Sequence, residues 1–228
     1  METLNLPKHV GIIMDGNGRW ATARKKNRSY GHQAGSKNVE RIVSHAFNSG
    51  VKALTLYAFS SENWARPKAE VEKLMKLIEE YLKKFIKKVI KSGVRLKIIG
   101  DREKLSDNLV MLIDECEEKS SINTERQLNI ALNYGARGEL VRAFKKLVLD
   151  GKEITEQNIL ESLDTAQSGE VDLIIRTGGE KRLSNFLLYQ SAYSELYFTD
   201  VLWPDFDEQE FDKAIEEFSK RNRRFGKV

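Results

Sequence analysis

Residue types that bind phosphate stand together near the start of the sequence. The apolar run at residues 10–14 predicts a short buried strand, which ends at Asp15. Gly16 and Gly18 follow, and because they lack a Cβ atom they let backbone N–H groups turn toward one point. Arg19 adds a fixed positive charge. This pattern predicts an anion cradle, and Asp15 suits it if a divalent cation bridges the carboxylate to a phosphate.

Other roles for a glycine-rich turn remain as alternatives. The simplest is a strand-to-helix turn with a capping aspartate. A Walker A loop is excluded, because Gly18 is followed by Arg19 and Trp20 rather than by Lys and then Ser or Thr. Residues 16–21 match the loose dinucleotide pattern, but residues 57–60 read Tyr-Ala-Phe-Ser where a ribose-binding acid is expected. A nicotinamide-dependent oxidoreductase is therefore a weaker alternative.

A second predicted strand also ends in polar residues. The apolar run at residues 52–59 predicts this strand, and open α/β sheets bind ligands at the carboxyl ends of their strands. The cluster after it contains Ser60, Ser61, Glu62, Asn63, Trp64 and Arg66. Arg28 and His32 lie in a basic segment between the two strands, which is either a solvated loop or a further contributor to the phosphate site.

A second anion site is predicted near residue 176. A buried strand at residues 171–175 delivers Arg176 at its end. A Gly-Gly turn then brings Arg182, Leu183 and Ser184 back toward Arg176. A salt-bridged corner without a ligand is the alternative interpretation of this segment.

Composition limits the class of protein. The 228 residues are 40% hydrophobic, which favours one α/β domain over residues 1–228. Apolar runs are shorter than the roughly 18 to 20 residues of a membrane-spanning helix, and the first residues lack a secretion signal. The single cysteine, Cys116, permits no internal disulfide, so we expect a cytoplasmic location. A net charge of only +4, without aromatic residues interleaved among basic ones, argues against nucleic-acid binding.

The whole chain alternates strand and helix patterns, which predicts a central, mostly parallel sheet flanked by helices. Predicted strands lie at residues 10–14, 52–59, 95–99, 127–131 and 171–175, with a further strand after Glu195. Predicted helices lie at residues 39–47, 67–92, 105–119, 139–149 and 207–221.

The longest predicted helix carries a broad apolar stripe. The stripe consists of Val71, Leu74, Met75, Ile78, Leu82, Phe85, Ile86, Val89 and Ile90. Lysines at positions 73, 76, 83, 84, 87, 88 and 91 lie mostly off it. Core packing opposite a solvated face is one interpretation. The other is that part of the stripe lines an apolar tunnel while the lysines approach an anionic membrane surface.

Five strings of the sequence, in order, resemble the bacterial undecaprenyl diphosphate synthases, which are cis-prenyltransferases. They lie at residues 9–20, 57–67, 133–135, 172–185 and 192–224, so the resemblance covers nearly the whole chain. It implies a homodimer whose subunits each contain a parallel sheet and a hydrophobic tunnel. It also implies that each subunit adds isopentenyl diphosphate to farnesyl diphosphate through cis double bonds and makes the long lipid carrier of cell-wall synthesis.

The resemblance also implies a role for each site residue. Asp15 would be the essential Mg²⁺ ligand, with Glu195 as the second acidic ligand. The allylic diphosphate would be held by Gly16, Asn17, Gly18, Arg19, Arg28, His32 and Arg66. The isopentenyl diphosphate would be held by Arg176, Arg182 and Ser184, with Ser61, Glu62 and Leu183 also in contact with substrate. Trp20 would lie near the start of the hydrocarbon tail, and Trp64 and Glu70 would flank the site.

The proton acceptor has two candidates. The resemblance assigns proton removal to Asn63 together with Ser60. A neutral amide has no useful pKa, so a diphosphate oxygen acting through Asn63 and Ser60 is an equal alternative.

The sequence departs from the enterobacterial pattern at two positions near the site. Lys181 stands where histidine is often found, and Tyr189 replaces a tryptophan. The chain also lacks the Asp-Asp-x-x-Asp boxes of trans-prenyltransferases. The main rival is a non-catalytic partner subunit of the same fold. Such a subunit is expected to lose the acid of the first turn or the paired arginines, and this chain keeps them.

Overall fold

A six-stranded sheet forms the framework of the computed structural model, which describes residues 5–223 apart from the side chains of residues 85–90. The strands are β1 (His9–Ile13), β2 (Ala53–Ser60), β3 (Val94–Ile99), β4 (Arg126–Tyr134), β5 (Leu173–Arg176) and β6 (Glu195–Phe198). Their order is β3-β4-β2-β1-β5-β6, and every pairing is parallel. The predicted parallel α/β fold is therefore confirmed.

Helices connect the strands. They are α1 (Asn17–Ala23), α2 (Arg28–Asn48), α3 (Lys68–Lys91), α4 (Asp107–Ser120), α5 (Ala136–Leu149), α6 (Glu156–Ser162) and α7 (Glu208–Lys220). Short 3₁₀ turns lie at Ser61–Ala65 and Trp203–Asp205. The sequence patterns predict α2 to α5 and α7 but not α1 and α6, which have seven residues each. Helix α2 begins well before residue 39, where its predicted apolar stripe starts, because the side chain of Asn27 accepts a hydrogen bond from Tyr30 N–H and caps the helix.

Both faces of the sheet are buried. Leu173 and Ile175 of β5 belong to the larger core cluster, which also takes in buried residues of α2, α3, α4 and α7. Ile174 points to the other face, where it packs with Phe186 and Leu187. Alternation along one strand therefore feeds two cores, which explains why the predicted strands read as nearly continuous apolar runs.

The register of the central strands brings the ends of β1 and β5 to one level, and β2 continues three residues further, to Ser60. Ile13 is aligned with Tyr57 on one side and with Arg176 on the other. The loops after β1, β2 and β5 therefore leave the sheet near one another at its carboxyl edge, which is where open α/β sheets bind ligands.

The structure bears on the prediction for Cys116 and on part of the prediction for α3. Cys116 is buried on α4, and burial raises the pKa of its thiol to about 12, so the residue is a packing element as expected. The predicted stripe and lysine face of α3 are only partly described, since Phe85, Ile86, Lys87, Lys88, Val89 and Ile90 lie outside the described side chains. Among the described residues, no helix has the length and apolar character needed to cross a membrane.

A chain of buried polar groups joins three strands near their amino ends. His9 Nδ1–H donates to the Gly169 carbonyl (3.2 Å), and His9 Nε2 accepts from the Thr55 hydroxyl (2.7 Å). This assignment follows because the Gly169 carbonyl can only accept, so Nδ1 carries the single N–H of the neutral ring. Thr55 Oγ1 in turn accepts from Asn129 Nδ2 (2.9 Å). Asn129 Nδ2 also donates to Ser168 (2.8 Å). Burial lowers the pKa of His9 to about 4, so this histidine is neutral in the folded protein.

We expect acid to destabilise the protein before its carboxylates titrate. The pKa of His9 and the pKa of His32 are both lowered from 6.5 to about 4, mainly by burial. Between pH 6.5 and pH 4 the unfolded chain therefore binds more protons, and the free energy of unfolding falls as the pH is lowered. Urea unfolding at pH 7 and pH 5 should show a loss of about 2 kcal/mol for each histidine.

The His9→Asn variant is the control for this pH dependence. Asparagine can still donate to Gly169 but does not titrate, so the loss between pH 7 and pH 5 should be about half that of the wild type. An undiminished loss in this variant would show that His9 does not carry the effect.

Candidate active site

The loops at the carboxyl edge of the sheet enclose a cavity of about 410 Å³. Polar residues from these loops and from the starts of α1 and α2 line it, namely Asp15, Asn17, His32, Asn63, Arg66, Arg176, Arg182 and Ser184. Apolar residues from the strands and α3 complete it, including Leu56, Phe59, Leu74, Leu77, Ile78, Leu82 and Ile130. A cavity of about 550 Å³ over the turn after β1 adjoins it and shares the lining residues Met14, Asp15, Asn17, His32 and Arg66.

The carboxylate of Asp15 lies between two guanidinium groups. Its Oδ1 is 3.2 Å from Arg19 Nη2, and its Oδ2 is 3.0 Å from Arg176 Nη2. The Arg176 side chain is only 5% exposed, whereas that of Arg19 is 51% exposed. Thr177 fixes the Asp15 backbone, because its hydroxyl donates to the Asp15 carbonyl (2.7 Å) and accepts from the Asp15 N–H (3.0 Å). Asp15 thus links the turn after β1 to the end of β5.

Gly178 makes this close approach possible. Its φ of 83° is in the left-handed region, which favours glycine. A Cβ atom at this position would lie 2.6 Å from Arg19 Nη2 and 3.1 Å from the Asp15 carbonyl group. A larger residue would therefore push the two walls apart. The two anion sites that the sequence predicts meet at Asp15.

The glycines of the first turn leave room for neighbouring side chains. Gly16 has a φ of 111°, and a Cβ atom there would lie 2.8 Å from the Leu202 side chain. Gly18 leaves room for Arg28, whose Nε would lie 3.2 Å from a Cβ atom. Arg28 therefore reaches the cradle from the start of α2, as the phosphate-site interpretation requires.

Asn17 packs against α2 at Gly31 and Gly35, which lie four residues apart. A Cβ atom at Gly31 would lie 2.0 Å from the Asn17 carbonyl oxygen, and one at Gly35 would lie 2.1 Å from Asn17 Oδ1. Gly35 was not among the predicted site residues, and the spacing of Gly31 and Gly35 is the sequence feature that could have indicated this contact. The contact fixes the first turn of α1 against α2.

Glu70 of α3 binds two arginines of the cradle. Its Oε1 lies 3.2 Å from Arg66 Nη1 and 3.7 Å from Arg28 Nε. His32 lies near them, and burial first, then the charge of Arg66, lower its pKa to about 4. The imidazole of His32 is therefore neutral at physiological pH.

Three residues that line the cavity each have one buried polar atom without a hydrogen-bond partner among the described residues. They are Asn17 Oδ1, His32 Nε2 and Arg176 Nε. Buried polar atoms cost free energy when they remain unpaired, so these atoms indicate where a polar ligand binds.

Arg176 also organises the loop that follows β5. Its Nη1 donates to Ser184 Oγ at 2.7 Å and to the Arg182 carbonyl. The side chain of Arg182 is exposed and pairs with Glu180 at 2.5 Å. Leu183 packs against the smaller core cluster. The predicted return of Arg182 and Ser184 toward Arg176 is therefore observed.

The polar cluster after β2 forms a 3₁₀ turn. Ser60 N–H donates to Asn63 Oδ1 (3.2 Å), and the Ser60 side chain accepts from the Asn63 N–H, so the two residues cap the turn together. Trp64 Nε1 donates to Asn133 Oδ1 (2.7 Å), and its ring packs on Phe59, which lines the cavity. This turn places the Asn63 side chain at the cavity wall and holds its carbonyl oxygen.

The glycine turn, the paired arginines and the cavity can be compared with known proteins. The family model described as "Putative undecaprenyl diphosphate synthase" matches residues 13–226. The chain belongs to the undecaprenyl diphosphate synthase family.

Relatives and a solved structure agree with this assignment. The isoprenyl transferase of Aquifex pyrophilus is 50% identical, over 99% of this chain and 98% of its own length. The Buchnera aphidicola ditrans,polycis-undecaprenyl-diphosphate synthase, named as specific for (2E,6E)-farnesyl diphosphate, is 50% identical over 97% of this chain and 92% of its own. The crystal structure of lavandulyl diphosphate synthase from Lavandula x intermedia, in complex with dimethylallyl diphosphate, superposes with a TM-score of 0.92 at 35% identity. That match covers 97% of this chain and 99% of the other.

In this undecaprenyl diphosphate synthase family member, Trp20 does not line the cavity. Its Nε1 donates to Asp205 Oδ1 (2.6 Å), and its ring stacks on Tyr30 with centroids 5.9 Å apart. Arg24 covers the ring at 4.0 Å. Trp20 thus holds α1 against the 3₁₀ turn at Trp203–Asp205, and its place near the start of the hydrocarbon tail stays a prediction.

Glu195 also lies away from Asp15. It is aligned with Leu173, three residues before Arg176, which places it about 10 Å along the strands from the level of Arg176. Strand β1 lies two strand spacings, about 9.5 Å, to the side. Glu195 Oε2 instead pairs with Arg221 Nη1 at 2.7 Å. Because Mg²⁺–oxygen distances are about 2 Å, Asp15 and Glu195 of one chain do not reach a common ion. The role of Glu195 as the second acidic ligand stays a prediction.

The structure also places the two residues that depart from the enterobacterial pattern. Lys181 is exposed between Glu180 and Arg182. Tyr189 packs against the cluster formed by Ala143 and Leu147 of α5 and by α6 residues. Neither residue lines the main cavity.

Proposed function

We propose that the chain adds isopentenyl diphosphate units to farnesyl diphosphate with cis double bonds and makes a long-chain, undecaprenyl-type diphosphate. Such a product is the lipid carrier for cell-wall polysaccharide synthesis. One observation carries the proposal: two arginine walls meet at the Asp15 carboxylate, at the mouth of a pocket lined by apolar residues. Two diphosphates and one hydrocarbon tail require these features.

The allylic diphosphate is assigned to the cradle after β1. Gly16, Asn17, Gly18, Arg19, Arg28, His32 and Arg66 surround the cavity that would hold it. The farnesyl tail then extends into the adjoining cavity among Leu74, Leu77 and Ile78 of α3. This path supports the tunnel interpretation of the α3 stripe for its described part.

The isopentenyl diphosphate is assigned to Arg176, Arg182 and Ser184. Arg176 is buried and oriented by Asp15 and Ser184, so its fork is fixed before a ligand arrives. Arg182 is exposed and can leave Glu180 to bind an incoming phosphate. Preorganised donors of this kind stabilise the charge that develops on a leaving diphosphate.

Asp15 is proposed as the Mg²⁺ ligand. The described residues contain no group of three or more His, Cys, Asp or Glu side chains that could hold a metal. One carboxylate beside a phosphate cradle nevertheless fits Mg²⁺, which commonly binds through one or two carboxylates plus substrate phosphates. When bound, the ion supplies positive charge to the leaving diphosphate. Because Glu195 lies too far away, the remaining ligands would be phosphate oxygens and water.

In the proposed reaction, a carbon–carbon bond forms between the terminal alkene carbon of isopentenyl diphosphate and the allylic carbon of the primer. The allylic carbon–oxygen bond breaks, and the diphosphate leaves with the bonding electrons. The proton that the isopentenyl unit loses passes to a diphosphate oxygen, with Asn63 and Ser60 orienting the transfer. An amide is a poor base, and the Asn63 carbonyl oxygen is already occupied by Ser60 N–H.

Removal of Asp15 tests the proposed reaction. We expect the wild type to incorporate labelled isopentenyl diphosphate onto farnesyl diphosphate only when Mg²⁺ is present. The Asp15→Ala variant should lose at least about 100-fold in kcat/KM, because both the metal ligand and the anchor of Arg176 disappear. Chromatography of the products should show long polyprenyl chains from the wild type.

Asp150→Ala is the matched control, since Asp150 is an exposed acid at the end of α5. It should retain wild-type activity. If the wild type makes no product under varied detergent conditions, a non-catalytic partner subunit becomes the better interpretation.

We also propose a homodimer formed through α5. Val141, Phe144 and Val148 are exposed by 52%, 37% and 69%, and their spacing places them on one stripe of the helix. The opposite side of α5 is satisfied within the chain, where Ala143 and Leu147 are buried. A second copy of the chain is the occupant that the family resemblance implies for this apolar stripe.

Charges in the α5 stripe should weaken the dimer. We expect Phe144→Glu combined with Val148→Glu to raise the dimer dissociation constant by at least about 100-fold, because paired apolar residues at an interface centre become charged. Sedimentation velocity at micromolar concentration measures this change. Ile122→Glu, which alters an equally aliphatic residue exposed by 83% outside α5, should leave the association unchanged. A double variant that sediments like the wild type would refute this interface.

Finally, we propose peripheral contact between the α3 lysines and the cytoplasmic face of an anionic membrane. Lys73, Lys76 and Lys84 are exposed, and Lys83 pairs with Glu79 at 2.6 Å. Changing Lys73, Lys76 and Lys84 to Gln should reduce binding to phosphatidylglycerol vesicles at low salt, by about 1 kcal/mol per lysine.

Co-sedimentation with vesicles measures this binding. The control changes three exposed lysines outside α3, Lys8, Lys37 and Lys52, and should bind like the wild type. Wild-type protein that stays in the supernatant with anionic vesicles would contradict the proposal.

A further inference from the structure

The loop that carries Ser184 has an unusual backbone conformation. Ser184, Asn185 and Leu187 have φ angles of 50°, 62° and 45°, although none of them is glycine. Such conformations are uncommon for residues with a side chain and persist where surrounding contacts determine them. Asparagine tolerates the left-handed region better than most residues, so Asn185 suits its position.

Asn185 supplies contacts that hold this loop against the start of α5. Its backbone carbonyl accepts from Ala136 N–H (2.8 Å), and its side-chain Oδ1 accepts from Arg137 N–H (3.0 Å). The N-cap residue of α5, Gly135, has no side chain to bind these N–H groups. Asn185 thus caps α5 from a distant part of the sequence.

The other end of the same amide reaches the 3₁₀ turn after β2. Asn185 Nδ2 donates to Glu62 Oε1 at 2.9 Å. The orientation of the amide is determined, because Arg137 N–H is a donor and the Glu62 carboxylate is an acceptor. One side chain therefore ties the Ser184 loop both to α5 and to the turn that carries Asn63.

Gly135 provides the space for this link. A Cβ atom at Gly135 would lie 2.5 Å from Asn185 Nδ2 and 2.7 Å from Ser61 Oγ. Its φ of −159° is extended and open to any residue, so the requirement is for space. This gives a role to the Asn-Tyr-Gly string at residues 133–135, which the proposed chemistry leaves unexplained.

We infer that Asn185 is a positioning residue that couples the isopentenyl diphosphate site to the turn bearing Asn63. The inference rests on the proposed function. Ser184, the neighbour of Asn185, binds Arg176, and Glu62, the neighbour of Asn63, binds Asn185. The Asn185–Glu62 hydrogen bond therefore sets the separation between the group that holds the isopentenyl diphosphate and the group that orients the proton transfer.

Asn185→Asp separates this role from simple capping. Aspartate tolerates the left-handed conformation, and one of its oxygens can still accept from Arg137 N–H at the helix start. Its other oxygen would face the Glu62 carboxylate, so an attractive contact becomes repulsive. We expect the KM for isopentenyl diphosphate to rise about tenfold, the loss typical of one charge-assisted hydrogen bond, while the KM for farnesyl diphosphate stays within about twofold.

Glu62→Gln, combined with Asn185→Asp, provides the rescue. The glutamine amide could donate an N–H to the aspartate carboxylate, which restores a hydrogen bond with donor and acceptor exchanged. Glu62 is itself assigned to the substrate site, so the Glu62→Gln single variant is measured and the double variant is compared with it. We expect the KM of the double variant for isopentenyl diphosphate to return to within about threefold of the Glu62→Gln value.

Calorimetric titration with isopentenyl diphosphate on the same four proteins adds a readout that does not need turnover. The dissociation constants should follow the same order as the KM values. If wild-type protein makes no polyprenyl product, the proposed function fails, and these titrations still decide the role of Asn185. Asn185→Gly, which keeps the left-handed backbone and removes the side chain, should weaken binding in the same direction if Asn185→Asp does not fold.

Two results would overturn the inference. One is an Asn185→Asp protein whose KM and dissociation constant for isopentenyl diphosphate stay within about twofold of wild type. The other is a double variant no better than Asn185→Asp, which would reduce Asn185 to a capping residue. A purely structural role predicts a lower melting temperature without a selective change for one substrate and without rescue.

Discussion

The ion pair between Asp15 and the buried Arg176 is the contact on which the rest of the site depends. Arg176 is 5% exposed, and a buried guanidinium without a partner would cost several kcal/mol. The pairing is possible because Ile13 and Arg176 are aligned on neighbouring parallel strands, so that the residues after them meet at one edge. The same contact therefore stabilises the sheet edge and joins the two phosphate-binding walls.

The second constraint is space, which glycines provide because they have no side chain. Gly178 lets Arg19 approach Asp15, Gly35 receives the Asn17 side chain, and Gly135 admits Asn185. Each glycine in a fixed conformation costs roughly 0.5 to 1 kcal/mol of chain entropy relative to alanine. The glycines are needed because chain segments must approach closely for backbone N–H groups and arginines to bind phosphate.

Local chemistry explains which features the sequence could predict. Apolar runs that end in an acid, a serine or an arginine located the ends of β1, β2 and β5, and with them the cradle and the Arg176 loop. The start of α2 was harder to predict, because Gly31 and Gly35 have poor helix propensity and packing against Asn17 overrides it. The contacts of Trp20 with Asp205 and of Glu195 with Arg221 could not be predicted, because strand register and the direction of a helix face depend on distant pairing. The Asn185–Glu62 contact spans 123 residues, so no local pattern could reveal it.

Five arginines around the cavity each form an ion pair with a carboxylate of the same chain. Arg19 and Arg176 share Asp15, Arg28 and Arg66 share Glu70, and Arg182 binds Glu180. These carboxylates form ion pairs with the guanidinium groups and keep each of them oriented. In the proposed site, a diphosphate that binds these arginines competes with a carboxylate that already pairs with them, so the net gain is the difference between two attractions. For the arginines that pair with Glu70 and Glu180, this competition would weaken diphosphate binding and favour diphosphate release. An enzyme that adds many isoprenyl units to one product must release each diphosphate as readily as it binds the next substrate.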